Sequence, residues 1–295
     1  MLKNYRTTLK IYISGLMKFN SKKFEILRYG DKTIKEETMY FSPDDEIIEE
    51  KDNLRDLGIQ MNNKADFENH TENVCQKVKQ KSGWILRTFR CRKPYFMKTL
   101  WKQLVQPHID YCSTLYMPVT GTNLQNIEIL QQHFTRRVSS VRESNYWERL
   151  KLLQMSSQQR RLERYRIIYI WKILEGKVPN CGINFKLHER LGRKCEIRPL
   201  KPSAAKFRTL RENSFQVHGC RLFNILPQKI RSLEKCSVED FKYELDQYLA
   251  TIPDEPNVPG TEYCPRATCQ ITGRPSNSLI DQVQKVNNGG GLLGG

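Results

Sequence analysis

The sequence contains no apolar stretch long enough to cross a membrane. A spanning helix needs roughly 18 to 20 consecutive apolar residues, and no segment of the 295 residues approaches that length. The first residues, Met1 to Ser14, alternate apolar and polar positions and lack the continuous apolar segment of a secretory signal. The nine cysteines include no Cys-x-x-Cys pair, and an odd number without a signal sequence is typical of reduced thiols. We therefore expect a protein of the nucleus or cytoplasm with no membrane partner.

The sequence also lacks the short motifs of common nucleotide-dependent and hydrolytic enzymes. It has no Walker loop, no Rossmann glycine pattern and no nucleophile elbow. Zinc-ligand spacing is weak, because Cys264 and Cys269 are separated by four residues and no histidine follows them. His218 and Cys220 are two residues apart on a predicted helix, which does not put them on one face. We therefore predict no metal site and no cofactor in this chain.

Asp44-Asp45 is the pair that most resembles a metal site for nucleotidyl transfer. Such transfer needs carboxylates from separate strands that meet at two ions about 4 Å apart. Here the pair follows Pro43 in an acidic run that extends to Asp56, and its spacing differs from an aromatic-x-Asp-Asp hairpin. This pattern predicts a solvated loop and no catalytic residue. His108 could act as a base, but the preceding proline favours a packed, hydrogen-bonded histidine at a helix kink.

Acidic residues are scarce in the middle of the chain. The whole sequence has 49 basic and 32 acidic residues, for a net charge of +17. Residues 75–211 alone carry 29 basic and 8 acidic side chains, whereas 1–74 and 212–295 each have a net charge of −2. A concentrated positive field attracts polyanions over long range and releases counterions on binding. We therefore predict a nucleic acid as the partner; the alternative is an ordinary solubilising surface.

The hydrophobic pattern predicts a mainly α fold. Short alternating segments at Lys23–Tyr29, Thr38–Phe41 and Leu54–Met61 predict a small N-terminal hairpin or strand region. From Asp66 the apolar residues recur every three or four positions, which is typical of helices. Helices are predicted at 67–90, 94–111 with a kink at Pro107, 123–141, 156–175, 215–226 and 238–249.

Composition divides the chain into four regions. We predict a strand-containing region at 1–63, a basic helical bundle at 64–180, a C-terminal helical region at 181–252 and a disordered tail at 253–295. Trp84, Trp101, Trp147 and Trp171 could stack on bases, but each lies beside an apolar helix face, which favours core packing. The predicted phosphate contacts are basic residues of the helical bundle, namely Lys77, Lys79, Lys81, Arg87, Arg90, Arg136, Arg137, Arg160, Arg161 and Arg164.

Several segments resemble the C-terminal part of jockey-type non-LTR retrotransposon reverse transcriptases. The late Asn213-Ser214-Phe215, followed by Leu222-Phe223-Asn224-Ile225-Leu226-Pro227, is similar to the closing motif of that family. The matches keep the family's order from about residue 14 to 249. The other matching segments are Met17 to Leu27, Leu54-Arg55-Asp56-Leu57-Gly58-Ile59, Leu104 to Cys112 with its Pro-His-Ile-Asp-Tyr core, and Leu124 to Arg137.

The resemblance implies the end of the palm in 1–63 and a thumb-like domain in 64–180. The catalytic aspartates of the family lie upstream of the Met17 segment, so it implies a non-catalytic remnant of an RNA-directed DNA polymerase. Thumb-like helices would then bind RNA or an RNA–DNA duplex, and magnesium would be needed only with an upstream palm. Two alternatives stay open: a fragment of an active enzyme whose palm is supplied upstream or in trans, and an interaction scaffold or element fossil.

Overall fold

The computed structural model describes residues 20, 23–29, 39–42, 44–116, 121–179, 185–197, 214–255 and 279–283. The chain separates into two compact units, Met1–Phe67 and Glu68–Gly295. The described part is mainly helical and has a small antiparallel sheet near the N-terminus, which confirms the predicted fold class. No helix in the described ranges combines the length and the apolar character of a membrane span.

The first unit contains a two-stranded hairpin. Strand β1 (Asn53–Asp56) pairs antiparallel with β2 (Ile59–Asn62). The two residues between them have positive φ angles, 46° at Leu57 and 86° at Gly58, as a tight hairpin turn requires. The predicted single strand at 54–61 is therefore wrong, because this turn folds it back on itself. The described parts of the other two predicted strands form only isolated bridges, Ile26 with Glu50 and Phe41 with Ile47.

The second unit is built from helices of very different lengths. Two short strands, β3 (Leu187–His188) and β4 (Lys194–Cys195), pair antiparallel within it. A π-helical turn, Trp101–Val105, and 3-10 turns at Ser139–Val141 and Glu189–Leu191 lie between helices. The helices are α1 (Glu68–Thr88), α2 (Pro94–Leu100), α3 (Gln106–Asp110), α4 (Ser113–Tyr116), α5 (Gly121–Thr135), α6 (Tyr146–Leu153), α7 (Gln158–Leu174), α8 (Phe215–Asn224), α9 (Gln228–Arg231) and α10 (Val238–Ala250).

The predicted kink near Pro107 is present but has a different form. The backbone N–H of Gln106 donates to the carbonyl of Trp101, five residues earlier, so a π-helical turn separates α2 from α3. Pro107 then occupies the first turn of α3, where its missing N–H costs no hydrogen bond. The predicted helix at 123–141 ends at Thr135, because Val138 takes an extended conformation. Helix α6 was not predicted, although Asn145 and Glu148 form a capping box at its start.

Side-chain caps fix the starts of two other helices. The spacing of Ser237 and Asp240 in the sequence is that of a capping box, and the two residues form one at the start of α10. The spacing of Ser156 and Gln159 in the sequence predicts the cap of α7 one residue too early: Ser157 accepts from the backbone N–H of Arg160 at 3.0 Å. Ser157 also donates its hydroxyl to Asp254 at 2.7 Å, so the cap joins the start of α7 to the chain that follows α10.

One hydrophobic cluster of the described residues lies where α7, α8 and α10 meet. Trp171 stacks on Phe241 with ring centroids 4.3 Å apart and an angle of 7° between the planes. Its indole N–H donates to the carbonyl of Leu233 at 2.9 Å. Trp101 and Trp147 are also buried, as predicted, whereas Trp84 is 47% exposed. Three of the four tryptophans therefore serve the core.

Part of the predicted tail belongs to this core. Residues 279–283 form a helical turn in which Leu279 and Val283 are buried against this cluster. The backbone N–H of Leu279 donates to Glu163 on α7 at 3.0 Å. The prediction of disorder is therefore wrong for residues 279–283, because Leu279 and Val283 pack against buried apolar side chains. Residues 256–278 and 284–295, including Cys264 and Cys269, lie outside the described residues.

Candidate nucleic-acid interface

Helix α1 presents most of its charge to solvent. Its core face carries Val74, Val78 and Ile85, which recur at helical spacing and are buried. The predicted contact residues Lys77, Lys79, Lys81 and Arg87 are all exposed. Among the residues that the structure describes, none of these four cations forms an ion pair. Their charge is therefore available to a partner.

The four cations of α1 do not form a single row. Lys77 and Lys81 are one turn apart, whereas Lys79 lies about 160° around the helix from Lys77. Desolvation lowers the pKa of His108 on α3, and the charges of Lys81 and Lys77 lower it further, so both lysines lie within electrostatic reach of that histidine. His108 is half-buried. A ligand on this flank would meet Lys77 and Lys81 together.

A second group of cations comes from two chain segments that the fold joins. The backbone N–H and the hydroxyl of Ser139 donate to the carbonyl of Arg92 at 3.0 and 3.1 Å. This pair of bonds places the loop between α1 and α2 beside the segment that follows α5. We call the exposed cations of these two segments the basic seam, which consists of Arg90, Lys93, Arg136, Arg137 and Arg142.

The positive charge of the basic seam is not compensated by carboxylates in the described part of the chain, where none of its five cations forms an ion pair. Arg92 differs, because its guanidinium turns inward and donates to the carbonyls of Leu86 and Phe89 at the end of α1. These bonds satisfy carbonyls that have no helical partner and fix the loop. Arg92 is thus a structural residue that positions Arg90 and Lys93.

An exposed aromatic side chain adjoins the basic seam. Tyr95 lies in the first turn of α2, two residues after Lys93, and is 84% exposed. Near it, Phe89 contacts Phe96 edge-to-face with ring centroids 5.5 Å apart. Tyr95 was missed as a candidate, although the pattern that turns Phe96 and Leu100 inward leaves it on the outer side. A free aromatic ring beside cations is the arrangement that stacks on bases.

Helix α7 uses its arginines inside the protein. Arg160 is only 5% exposed, and its guanidinium donates to the carbonyls of Leu249 and Pro253 at 3.0 and 2.8 Å. It also donates to Gln282 Oε1 at 2.6 Å. The prediction that Arg160 contacts a phosphate is wrong, because the protein surrounds the side chain and occupies its donors.

Arg161 and Arg164 already have carboxylate partners. Arg161 Nη2 lies 2.7 Å from Asp110 Oδ2, and Arg164 Nη2 lies 2.7 Å from Asp246 Oδ2. Both pairs use two guanidinium nitrogens, which gives strong and directional hydrogen bonds. The side chain of Arg164 keeps partial exposure, 23%, but its charge is compensated. These two residues are therefore weaker candidates for phosphate contacts than the unpaired cations.

Two carboxyl groups are fully enclosed beside α7. Glu128 accepts from the backbone N–H of Gln158 at 2.9 Å and from the hydroxyl of Tyr146. Desolvation raises the pKa of Glu128 to about 7, although these hydrogen bonds oppose the increase. Desolvation likewise raises the pKa of Glu163 to about 7, opposed by its bond from the N–H of Leu279. Both carboxyls join helices and lie away from solvent.

The acidic pair of the first unit lies in an exposed turn. The hydroxyl of Ser42 accepts from the backbone N–H groups of Asp44 and Glu46 at 3.3 and 3.1 Å. Asp45 has a φ of 60°, a left-handed conformation that aspartate tolerates in turns. Within the described ranges, no three His, Cys, Asp or Glu side chains come together in a group that could hold a metal ion.

Comparison with known proteins adds no assignment. No protein-family model, no curated protein and no solved structure matches the chain. The resemblance to non-LTR reverse transcriptases therefore stays a prediction that depends on the quoted sequence segments. The surfaces of α1 and the basic seam are the structural observations that bear on function.

Proposed function

We propose that this chain is a non-catalytic C-terminal part of a non-LTR retrotransposon reverse transcriptase that binds RNA or an RNA–DNA duplex. The proposal depends on one observation above all. Every predicted contact residue on α1 and in the basic seam is exposed and lacks an ion-pair partner among the described residues, whereas Arg160, Arg161 and Arg164 are engaged.

Unpaired exposed cations suit phosphate binding for a thermodynamic reason. A cation that already has a carboxylate partner must exchange one ion pair for another, whereas a free cation gains a phosphate and displaces condensed counterions from the nucleic acid. Phosphates carry no sequence information, so we expect similar affinities for RNAs of different sequence. The same chemistry would serve the thumb of a polymerase, which the sequence resemblance suggests, without requiring a catalytic centre in this chain.

Neutralising α1 should lower the salt dependence of binding. We expect the variant with Lys77, Lys79, Lys81 and Arg87 all changed to glutamine to reduce the slope of log affinity against log salt by about 1.8 if only Lys77 and Lys81 contact phosphates, and by about 3.6 if all four do, since each lost phosphate contact removes about 0.9. Fluorescence anisotropy with a labelled RNA–DNA duplex between 50 and 300 mM salt measures this slope. An unchanged slope would reject α1 as the interface.

The matched control removes the same number of charges from cations that are already paired. The partners of these paired cations are Glu255, Asp246, Glu244 and Glu239, respectively. The control variant changes the cations themselves to glutamine, namely Lys151, Arg164, Lys229 and Lys242. Because net charge falls equally in both variants, a general loss of positive field would affect them alike. A slope that decreases by the same amount in the control would show that the α1 cations make no direct contact with phosphates.

Removing the exposed ring of Tyr95 should weaken binding without changing its salt dependence. Stacking of one base on an aromatic side chain contributes roughly 1–3 kcal/mol, so we expect Tyr95→Ala to lower affinity for single-stranded RNA about tenfold. Tyr243→Ala is the control, since Tyr243 lies on α10 and is 63% exposed. Equal affinities of the two variants would exclude Tyr95 from the interface.

A further inference from the structure

The second unit contains a cavity away from α1 and the basic seam. Its volume is about 500 Å³, within the range of roughly 300–1,000 Å³ that small-molecule sites occupy. It lies at the junction of α8 and α9, against β4, α10 and residues 279–283. Lys194, Asn224, Ile225, Leu226, Pro227, Gln228, Arg231, Tyr248 and Val283 line it. None of these lining residues is acidic.

Arg231 places a covered positive charge in the wall of this cavity. The residue is only 6% exposed, and its Nε donates to the carbonyl of Gly192 at 2.8 Å. Nη1 donates to the carbonyls of Asn224, at 3.0 Å, and Leu226. All these acceptors are neutral, and Arg231 has no carboxylate partner among the described residues. Arginine stays protonated in proteins, so the guanidinium keeps a full charge without a counterion.

Lys194 adds a second cation to the same wall. It is exposed on β4, and it forms no ion pair with any described carboxylate. The neighbouring Cys195 is clamped by Asn224, whose side chain accepts from its N–H at 2.7 Å and donates to its carbonyl at 2.9 Å. This clamp fixes the backbone of the strand that carries Lys194 relative to α8, which also contributes to the cavity wall.

The charge and shape of the cavity define its ligand. Two cations without a lining carboxylate match a group with close to two negative charges, and a phosphate monoester carries about −1.5 to −2 at pH 7. Leu226, Tyr248 and Val283 supply an apolar wall that inorganic phosphate could not use. We propose that the cavity binds a phosphate monoester, with the phosphate at Arg231 and Lys194 and an organic body packed against this wall.

Three ligands, each titrated into the unmodified full chain, test whether binding needs both the phosphate and the organic body. Adenosine 5′-monophosphate supplies both a phosphate and a planar body, adenosine only the body, and inorganic phosphate only the anion. Isothermal titration calorimetry at pH 7.5 should give a dissociation constant for the monophosphate about tenfold lower than for either of the others. Equal binding of adenosine and its monophosphate, or of inorganic phosphate and the monophosphate, would overturn the proposal.

Variants then locate the binding site. Lys194→Gln should raise the dissociation constant about threefold to fivefold, because it removes a partly screened charge pair. Arg231→Lys should raise it more, since lysine keeps the charge but loses Nη2, the guanidinium nitrogen that no carbonyl of the described residues occupies. Lys186→Gln is the control: Lys186 is exposed beside β3 and does not line the cavity. An equal effect of Lys186→Gln and Lys194→Gln would reject the site, whether or not the Arg231 variant folds.

This inference is independent of the proposed nucleic-acid interface. The variant that neutralises Lys77, Lys79, Lys81 and Arg87 should bind adenosine 5′-monophosphate as tightly as the unmodified chain. Loss of monophosphate binding in that variant would assign the ligand to α1 and contradict the cavity. Loss of duplex binding there, with monophosphate binding retained, is the result expected if both proposals hold.

Discussion

Trp171→Ala should lower the free energy of unfolding by about 3–5 kcal/mol, the range measured for large aromatic side chains removed from cores. The indole is fully buried, stacks on Phe241 and donates to the carbonyl of Leu233. Its loss removes apolar contacts between α7 and α10 and leaves the half-buried carbonyl of Leu233 without that donor. Urea denaturation followed by circular dichroism at 222 nm measures the change.

Trp84→Ala provides the matched control for this prediction. Trp84 has the same side chain but is 47% exposed on α1, where its ring makes an edge contact with Phe89. We expect the free energy of unfolding to fall by about 1 kcal/mol or less, as for most partly exposed positions. Losses of equal size in the two variants would show that Trp171 does not organise the core.

The buried and exposed faces of α1 could be predicted from the sequence better than those of α7, because the two helices differ in how much of their surface is buried. Helix α1 has one apolar face, so the alternation of Val74, Val78 and Ile85 with charged residues indicates which side meets solvent. Helix α7 packs against neighbours on most of its circumference, and even Arg160 and Arg166 are buried. Nothing local distinguishes such arginines from surface ones, because their partners lie far away along the chain.

The partners of the α7 arginines lie far from α7 in the sequence. Arg164 pairs with Asp246, and Arg160 binds Gln282, in segments whose position against α7 depends on the tertiary fold. The apolar spacing of Leu279 and Val283 is equally inconspicuous within a polar tail. In contrast, the Ser237 capping box could be predicted, since its two residues are only three positions apart. The Ser237 capping box could therefore be predicted from neighbouring residues, whereas the partners of the α7 arginines could not.

Stability should fall as pH rises from about 4.5 to 7. Burial raises the pKa of Glu128 and of Glu163 from the ordinary 4.5 to about 7. In this window the unfolded chain releases these protons while the folded chain still holds them, so the free energy of unfolding decreases with pH. One carboxyl with such a shift changes the free energy of unfolding by about 3 kcal/mol across the window. Below pH 4.5 both states are protonated and the effect disappears.

Glu128→Gln should remove the share of this pH dependence that belongs to Glu128. The amide keeps an oxygen that can accept from the N–H of Gln158, and its NH2 group can donate to the hydroxyl of Tyr146. It therefore imitates the protonated carboxyl, and the difference in unfolding free energy between pH 4.5 and pH 8 should shrink by about 3 kcal/mol. Urea titrations across this range measure the difference.

Glu143→Gln is the control, because Glu143 is exposed and its replacement also exchanges one carboxyl group for an amide. Its pH profile should match that of the unmodified chain. If Glu128→Gln leaves the profile unchanged as well, the carboxyl of Glu128 is ionised in the folded protein at neutral pH. The tight contact with Tyr146 and the N–H of Gln158 would then outweigh desolvation. A smaller residual slope should disappear in the variant that also carries Glu163→Gln, since Glu163 is the second enclosed carboxyl with a raised pKa.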